Sequence, residues 1–117
     1  MSTIQIRYQK TDQYKNLIFI AKSDVPDELE TFKRLTNFHN TYKDKITTFL
    51  PMYATSSYAT MRCKPNPNFQ FQEGSVYQLD FAVRKKSHDE KEYVNIFINK
   101  SKLIRKSNVD AGELIEF

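Results

Sequence analysis

Residues 76–86, VYQLDFAVRKK, and 91–102, KEYVNIFINKSK, both alternate apolar and polar side chains with a period of two, and the polar stretch KKSHDEKE lies between them. Successive side chains of a β-strand point to opposite faces, so the pattern predicts two strands paired as a hairpin with a charged tip. In the first, Tyr77, Leu79, Phe81 and Val83 face a core, while Gln78, Asp80 and Arg84 face away. In the second, Val94, Ile96 and Ile98 face inward, which leaves Tyr93, Asn95, Phe97 and Asn99 outward. A half-buried strand ordinarily shows water a polar face. The two large aromatics in this outward set need a reason.

The remaining segments extend the β pattern. Residues 3–8, TIQIRY, alternate with Ile4, Ile6 and Tyr8 on one side; KTDQYK reads as a loop; and 16–22, NLIFIAK, is short and apolar enough for a buried strand that pairs with the first. SDVPDELETFKRLTNFHNTYKDK is the one helical segment, with Ser23 or Asp24 as the cap and Pro26 in the first turn. Leu29, Phe32, Leu35 and Phe38 recur at three-residue steps and form its core stripe. Residues 46–64 contain Pro51 and then a strand expected from about residue 55 to 64, and KPNPNFQFQEGS is a turn region. Strands of this kind with a single early helix predict a mainly β fold, a five-stranded antiparallel barrel of OB-fold type, in one domain over 1–117.

Composition narrows the compartment and partners. At 117 residues the chain is long enough for one core. Cys63 is the single cysteine, so an intramolecular disulfide is impossible and a cytoplasmic setting is expected. No apolar run reaches the roughly 20 residues that span a bilayer, and MSTIQIRYQK carries no apolar export signal, so no membrane association is expected. The net charge of +4 suits a phosphate-bearing partner without demanding one.

The outward residues of neighbouring strands supply the candidate site. With even positions outward, the strand near 55–64 presents Tyr58, Thr60, Arg62 and Lys64. Arg84, Lys85, Lys86 and Lys91 cluster near the hairpin tip, beside Tyr93, Asn95 and Phe97. Aromatic rings interleaved with cations meet the needs of a single-stranded nucleic-acid groove: bases stack on rings at about 1–3 kcal/mol each, and cations follow the phosphates. The other reading is that Tyr93 and Phe97 pack beneath the helix or against another subunit, since aromatics dominate cores and interfaces. Both readings stay open at the level of the residues.

Catalytic and metal readings find little support. His39 and His88 stand far apart, without metal-ligand spacing. Cys63 has inward parity and reads as a buried thiol, and with Gly74 and Gly112 as the only glycines there is no phosphate-binding glycine loop. The carboxylates of DVPDELE complement a helix dipole. No catalysis, no cofactor and no metal are expected.

The block GSVYQLDFAVRKKSHDEKEYVNIFINKSKLIRK, with the Lys, Asn and Tyr usage around it, resembles small OB-fold single-stranded DNA-binding proteins of phages of Gram-positive bacteria, of the lactococcal phage type. The resemblance covers chiefly residues 55–106. It implies a non-sequence-specific single-stranded DNA binder in phage replication or recombination, acting in the host cytoplasm. It further implies a dimer or higher homo-oligomer able to meet a host recombinase or replication proteins. The chain lacks the Gly/Gln-rich linker and strongly acidic tip of typical bacterial relatives, and it has no Trp. Residues 107–117, ending in GELIEF, read either as a tail or as an edge strand. The expectation is therefore a DNA-coating protein in which Tyr58, Tyr93 and Phe97 stack bases. Arg62, Lys64, Arg84, Lys85, Lys86 and Lys91 meet phosphates, and Asn95 adds hydrogen bonds. The alternative is a non-catalytic protein–protein or phage structural module whose aromatic face is an oligomer interface.

Overall fold

A computed structural model describes residues 2–45 and 50–106, and within them the chain forms six strands and one helix. The strands are β1 (Ser2–Thr11), β2 (Leu17–Lys22), β3 (Met52–Ala54), β4 (Tyr58–Cys63), β5 (Val76–His88) and β6 (Lys91–Arg105). A 3-10 turn, Pro26–Glu28, leads into the helix α1 (Leu29–Tyr42). All strand pairs are antiparallel, in the order β3-β4-β2-β1-β5-β6. The sheet curls into a half-barrel. The choice between a tail and an edge strand for 107–117 falls outside the described residues.

The mainly β class and the single helix agree with the sequence; the strand count does not. Six strands replace the expected five, because the strand expected from residue 55 is shorter and has a partner just before it. Thr55 makes the difference. Its Oγ1 accepts from the backbone N–H of Ser57 and Tyr58, both at 3.1 Å, and its own N–H donates to the Tyr58 carbonyl at 2.8 Å. A hydroxyl bonded to the backbone two and three residues on stabilises a turn where continuous strand would otherwise run. Met52–Ala54 folds back on Ala59–Met61 as a result.

The alternation sets the inner face. Ile4, Ile6 and Tyr8 on β1, Tyr77, Leu79 and Phe81 on β5, and Val94, Ile96 and Ile98 on β6 are buried, with Met61 and Cys63 of β4. The helix packs on this concave side. Leu35 is fully buried, Phe32 and Phe38 are partly so, and Phe38 meets Phe81 edge to face at 6.3 Å. Towards the far end of β1, Phe71 lies among Tyr8, Phe19 and Tyr77 at centroid distances of 5.5, 5.3 and 4.9 Å. That cluster gives the turn region after Lys64 its place against the core, with contributions beyond plain area burial.

Capping of the helix departs from expectation. Neither Ser23 nor Asp24 caps it: Ser23 Oγ donates instead to the carbonyls of Ser56 and Ser57, and the N-cap is Glu28, without a side-chain cap bond. Glu28 is buried and serves the sheet. Its Oε1 accepts from Lys22 N–H at 2.8 Å and from Arg7 at 3.2 Å, which ties the helix start to β1 and β2. A neighbouring pair, Asp27 with Arg105 at 3.5 Å, lies at the surface.

Removing one partner of a buried ion pair leaves the other without compensation, whereas exposed pairs contribute little. Glu28→Ala is expected to lower unfolding free energy by about 3 kcal/mol. Asp27→Ala is expected to lower it by less than about 1 kcal/mol. Urea denaturation followed by circular dichroism separates the two; equal effects would contradict this account of Glu28.

Candidate nucleic-acid interface

The β1–β2 and β5–β6 connections frame the outward face. In the first, the Asp12 carboxylate accepts from Tyr14 N–H at 2.8 Å, from Asn16 N–H at 2.9 Å and from Asn16 Nδ2 at 3.2 Å, while Lys15 takes a positive φ of 71°. In the second, Asp89 and Glu90 have φ of 51° and 64°, the conformation of a two-residue hairpin turn whose twist matches its strands. The strands therefore run to His88 and from Lys91, and Arg84, Lys85 and Lys86 stand in strand β5 with residues of β6 opposite them.

Strand parity now assigns each candidate. On β4, Ala59, Met61 and Cys63 are buried, which leaves Tyr58, Thr60 and Arg62 outward, with exposed Lys64 next in line. On β6, Val94, Ile96 and Ile98 are buried and Tyr93, Asn95 and Phe97 are outward; Lys91 shares their parity. Arg84 pairs with Asn95 and Lys86 with Tyr93, so both cations share that outward face. The Arg84 guanidinium lies 5.9 Å from the centroid of the Phe97 ring, a cation–π distance. Lys85 is the exception. It pairs with inward Val94 and its Nζ lies 5.6 Å over the Tyr42 ring at the end of the helix, on the opposite side of the hairpin.

The curl of the sheet brings β4 and β6 together although β2, β1 and β5 separate them in the sheet order. Lys64 N–H donates to the Ile96 carbonyl at 2.8 Å, and Asn66 Nδ2 donates to the Ile98 carbonyl at 3.2 Å. A cleft of about 160 Å³ opens at this seam, lined by Arg62 and Lys64 from one strand and Tyr93 and Asn95 from the other, with Asn16 and Pro51 on its rim. Four of the ten expected residues thus meet at one place.

Tyr58 belongs to a separate cleft of about 560 Å³ with Gln9, Ile20, Lys22 and Thr60. It lies six residues along the chain from Lys64, roughly 20 Å at strand spacing. Its neighbour Tyr53 was not among the expected residues. Tyr53 is 52% exposed, with its ring 6.5 Å from Tyr58 and 5.8 Å from His39, whose Nδ1 lies 3.1 Å from the Met52 carbonyl. The alternation of Met52, Tyr53 and Ala54 was the available signal, hidden by Pro51 just before it.

Arg62 and Asp12 influence each other's ionisation near the seam. Partial burial pushes the Arg62 guanidinium below its ordinary value while the Asp12 charge pulls it back, and an arginine remains cationic at any physiological pH. Burial works against ionisation of Asp12 as well. The hydrogen bonds from Asn16 and Tyr14, with the Arg62 charge, outweigh it and hold the carboxyl below its ordinary value.

Among the described residues no group of three or more His, Cys, Asp or Glu side chains is arranged to hold a metal, and no helix is long and apolar enough to cross a membrane. Cys63 is fully buried on the inner face, and burial pushes its thiol far up. The thiolate is the reactive form. Cys63 should accordingly resist an aromatic disulfide reagent in the native protein at pH 8 and react completely in denaturant; rapid native reaction would show the inner face to be open. No known family pattern, curated protein or solved structure matches the chain, so the geometry of this face is the basis for reading its role.

Proposed function

We propose that the chain is a non-sequence-specific single-stranded DNA-binding protein of OB-like type, which lays the strand across the outward face of β4, β6 and β5. The observation that carries this reading is the convergence of Arg62, Lys64, Tyr93 and Asn95 at the β4–β6 seam. Phosphate-directed cations and a stacking ring stand there side by side. Tyr93, Phe97 and Tyr58 are each 37% exposed, so each ring is partly held by its surroundings and partly accessible to a base. A ring already immobilised in this way loses little further freedom when a base stacks on it.

The path runs from Tyr58 past Arg62 and Lys64 to Tyr93, then across Asn95 and Phe97 to Arg84 and Lys86, with Lys91 beyond. Stacking is sequence-tolerant because every base has a π-face, and the phosphate contacts make binding depend on salt. Lys85, facing the helix, drops out of the path. Action in phage replication or recombination, in the host cytoplasm and beside a host recombinase or replication proteins, is the setting that the resemblance of residues 55–106 supplies.

Self-association has its own support. Leu103 and Ile104, 43% and 40% exposed, lie near the end of β6, the last strand in the sheet order among the described residues, where backbone groups can accept another strand. We place a homo-oligomer contact there, clear of the aromatic face. The competing module reading puts the oligomer interface on Tyr93 and Phe97 instead.

Fluorescence anisotropy with a labelled oligo-dT of about 30 nucleotides, against matched duplex and oligo-rU over a salt series, tests the proposal. Tight binding to the single strand with a steep salt slope is expected. Tyr93→Ala and Phe97→Ala should each weaken it by about 1–3 kcal/mol, roughly 5- to 150-fold. Lys86→Ala should make the salt slope shallower by about 0.7, and Lys85→Ala should leave it unchanged. Equal weak binding to single strand and duplex would reduce the cations to a general charged surface. A change of mass by light scattering in the double aromatic variant, without a change in affinity, would favour the module.

A further inference from the structure

The cleft beside Tyr58 lies on the outward face, over β2. Leu17 and Phe19 belong to the inner core, so Ile20, paired with Arg7 and Thr60, points outward. Ile20 is nevertheless only 7% exposed, and it lines the cleft. An outward apolar side chain covered this well is the floor of a depression, not part of a flat strand. One end of the depression is closed by bonds within the protein. Ser23 N–H donates to the Ser57 carbonyl at 2.9 Å, and Ser23 Oγ donates to the carbonyls of Ser56 and Ser57. At about 560 Å³, with Tyr58 as an aromatic wall, the cleft falls within the range of preformed small-molecule sites.

Gln9 lines this cleft, and it stands where β1 carries an extra residue. Tyr8 pairs with Phe19 and Lys10 with Ile18, so Gln9 is inserted between two successive pairs as a β-bulge. Tyr8 is buried in the core, and strict alternation after it would turn Lys10 inward. The bulge instead lets Gln9 and Lys10 both stand outward. Bulges recur beside functional sites, where they re-aim a side chain.

The polar lining suits the edge of a base. The Gln9 amide offers an acceptor and two donors, and the Asp24 carboxylate offers acceptors only. In a single strand, cytosine and adenine expose an exocyclic amine beside a ring-nitrogen acceptor, which an amide meets in both directions. A carboxylate accepts from the same amine. Thymine presents O4 where cytosine presents its amine, and acceptor would then face acceptor. Lys22, also in the lining, supplies a cation for the adjoining phosphate.

We infer that this cleft takes one base of the bound strand, lodged against Ile20 and Tyr58 with its edge on Gln9 and Asp24, and that it prefers an amine-bearing base to thymine. This rests on the single-stranded DNA reading above, and it adds one discriminating position to a path that elsewhere accepts any base.

The test compares a labelled oligo-dT of about 12 nucleotides, near the length of one OB-type site, with the same strand carrying a single central dC. Anisotropy is measured for wild type, Gln9→Ala and Asp24→Ala, with thermal melting of each. The dC strand should bind wild type about fivefold more tightly, the low end of one base-edge contact. Each variant should bring the two strands closer to equal affinity while melting like wild type. Asp24 is exposed, so its replacement leaves the sheet undisturbed even if loss of Gln9 unsettles the bulge. Equal binding of the two strands by wild type, or a full preference for dC in either folded variant, would overturn the inference while the DNA reading stands. So would a loss of affinity for both strands alike with their ratio intact, which marks a merely structural role. A wild-type protein that binds neither strand at low salt would overturn the DNA reading, and this inference with it.

Discussion

The hydrogen bond from Lys64 N–H to the Ile96 carbonyl joins strands that the sheet order keeps three strands apart. Everything on the outward face depends on it. β4 spends the earlier part of its free edge on β3, through Ala59–Met61, and its continuation meets β6. Asn66 extends the join by one further bond to Ile98. Only because the sheet curls enough to make these bonds do Arg62 and Lys64 stand beside Tyr93 and Asn95. In a flat sheet the same residues would lie on separate strands, with β2, β1 and β5 in between.

The curl itself needs a filling. A twisted antiparallel sheet buries one face only against something, and here the helix and the Phe71 cluster occupy the concave side. Glu28 ties the helix start to β1 and β2 by accepting from Arg7 and from Lys22 N–H. The polar bonds set the helix in register with the sheet, and Leu35 and Phe38 supply the apolar contact. The inner face is accordingly committed to packing, and the outer face remains accessible.

Much of this was legible in the residues. Alternation on the β5–β6 hairpin places Tyr93, Asn95 and Phe97 outward, and the structure places them there. The inward parity of Cys63, the β1–β2 pairing and the single helix follow from equally local signals. The misreadings have local causes too. Thr55 breaks the expected strand by a side-chain bond that propensity does not anticipate, which adds a strand and hides Tyr53. Lys85 was grouped with Arg84 and Lys86 by charge, although strand parity sends it towards Tyr42. Glu28 looked like a helix-dipole residue because the sequence does not disclose that Arg7 and Lys22 lie within reach.

By itself the sequence determined most of the strands, the one helix and the face that most of their side chains take, because these depend on spacing along the chain. Tertiary structure alone decided which outward residues become neighbours, since that depends on how far the sheet curls and on a bond between residues 64 and 96. The same holds for Asp12 and Arg62. Asp12 forms its turn through bonds within five residues, but its charge acts on a strand elsewhere in the chain, and only folding brings the two within electrostatic reach.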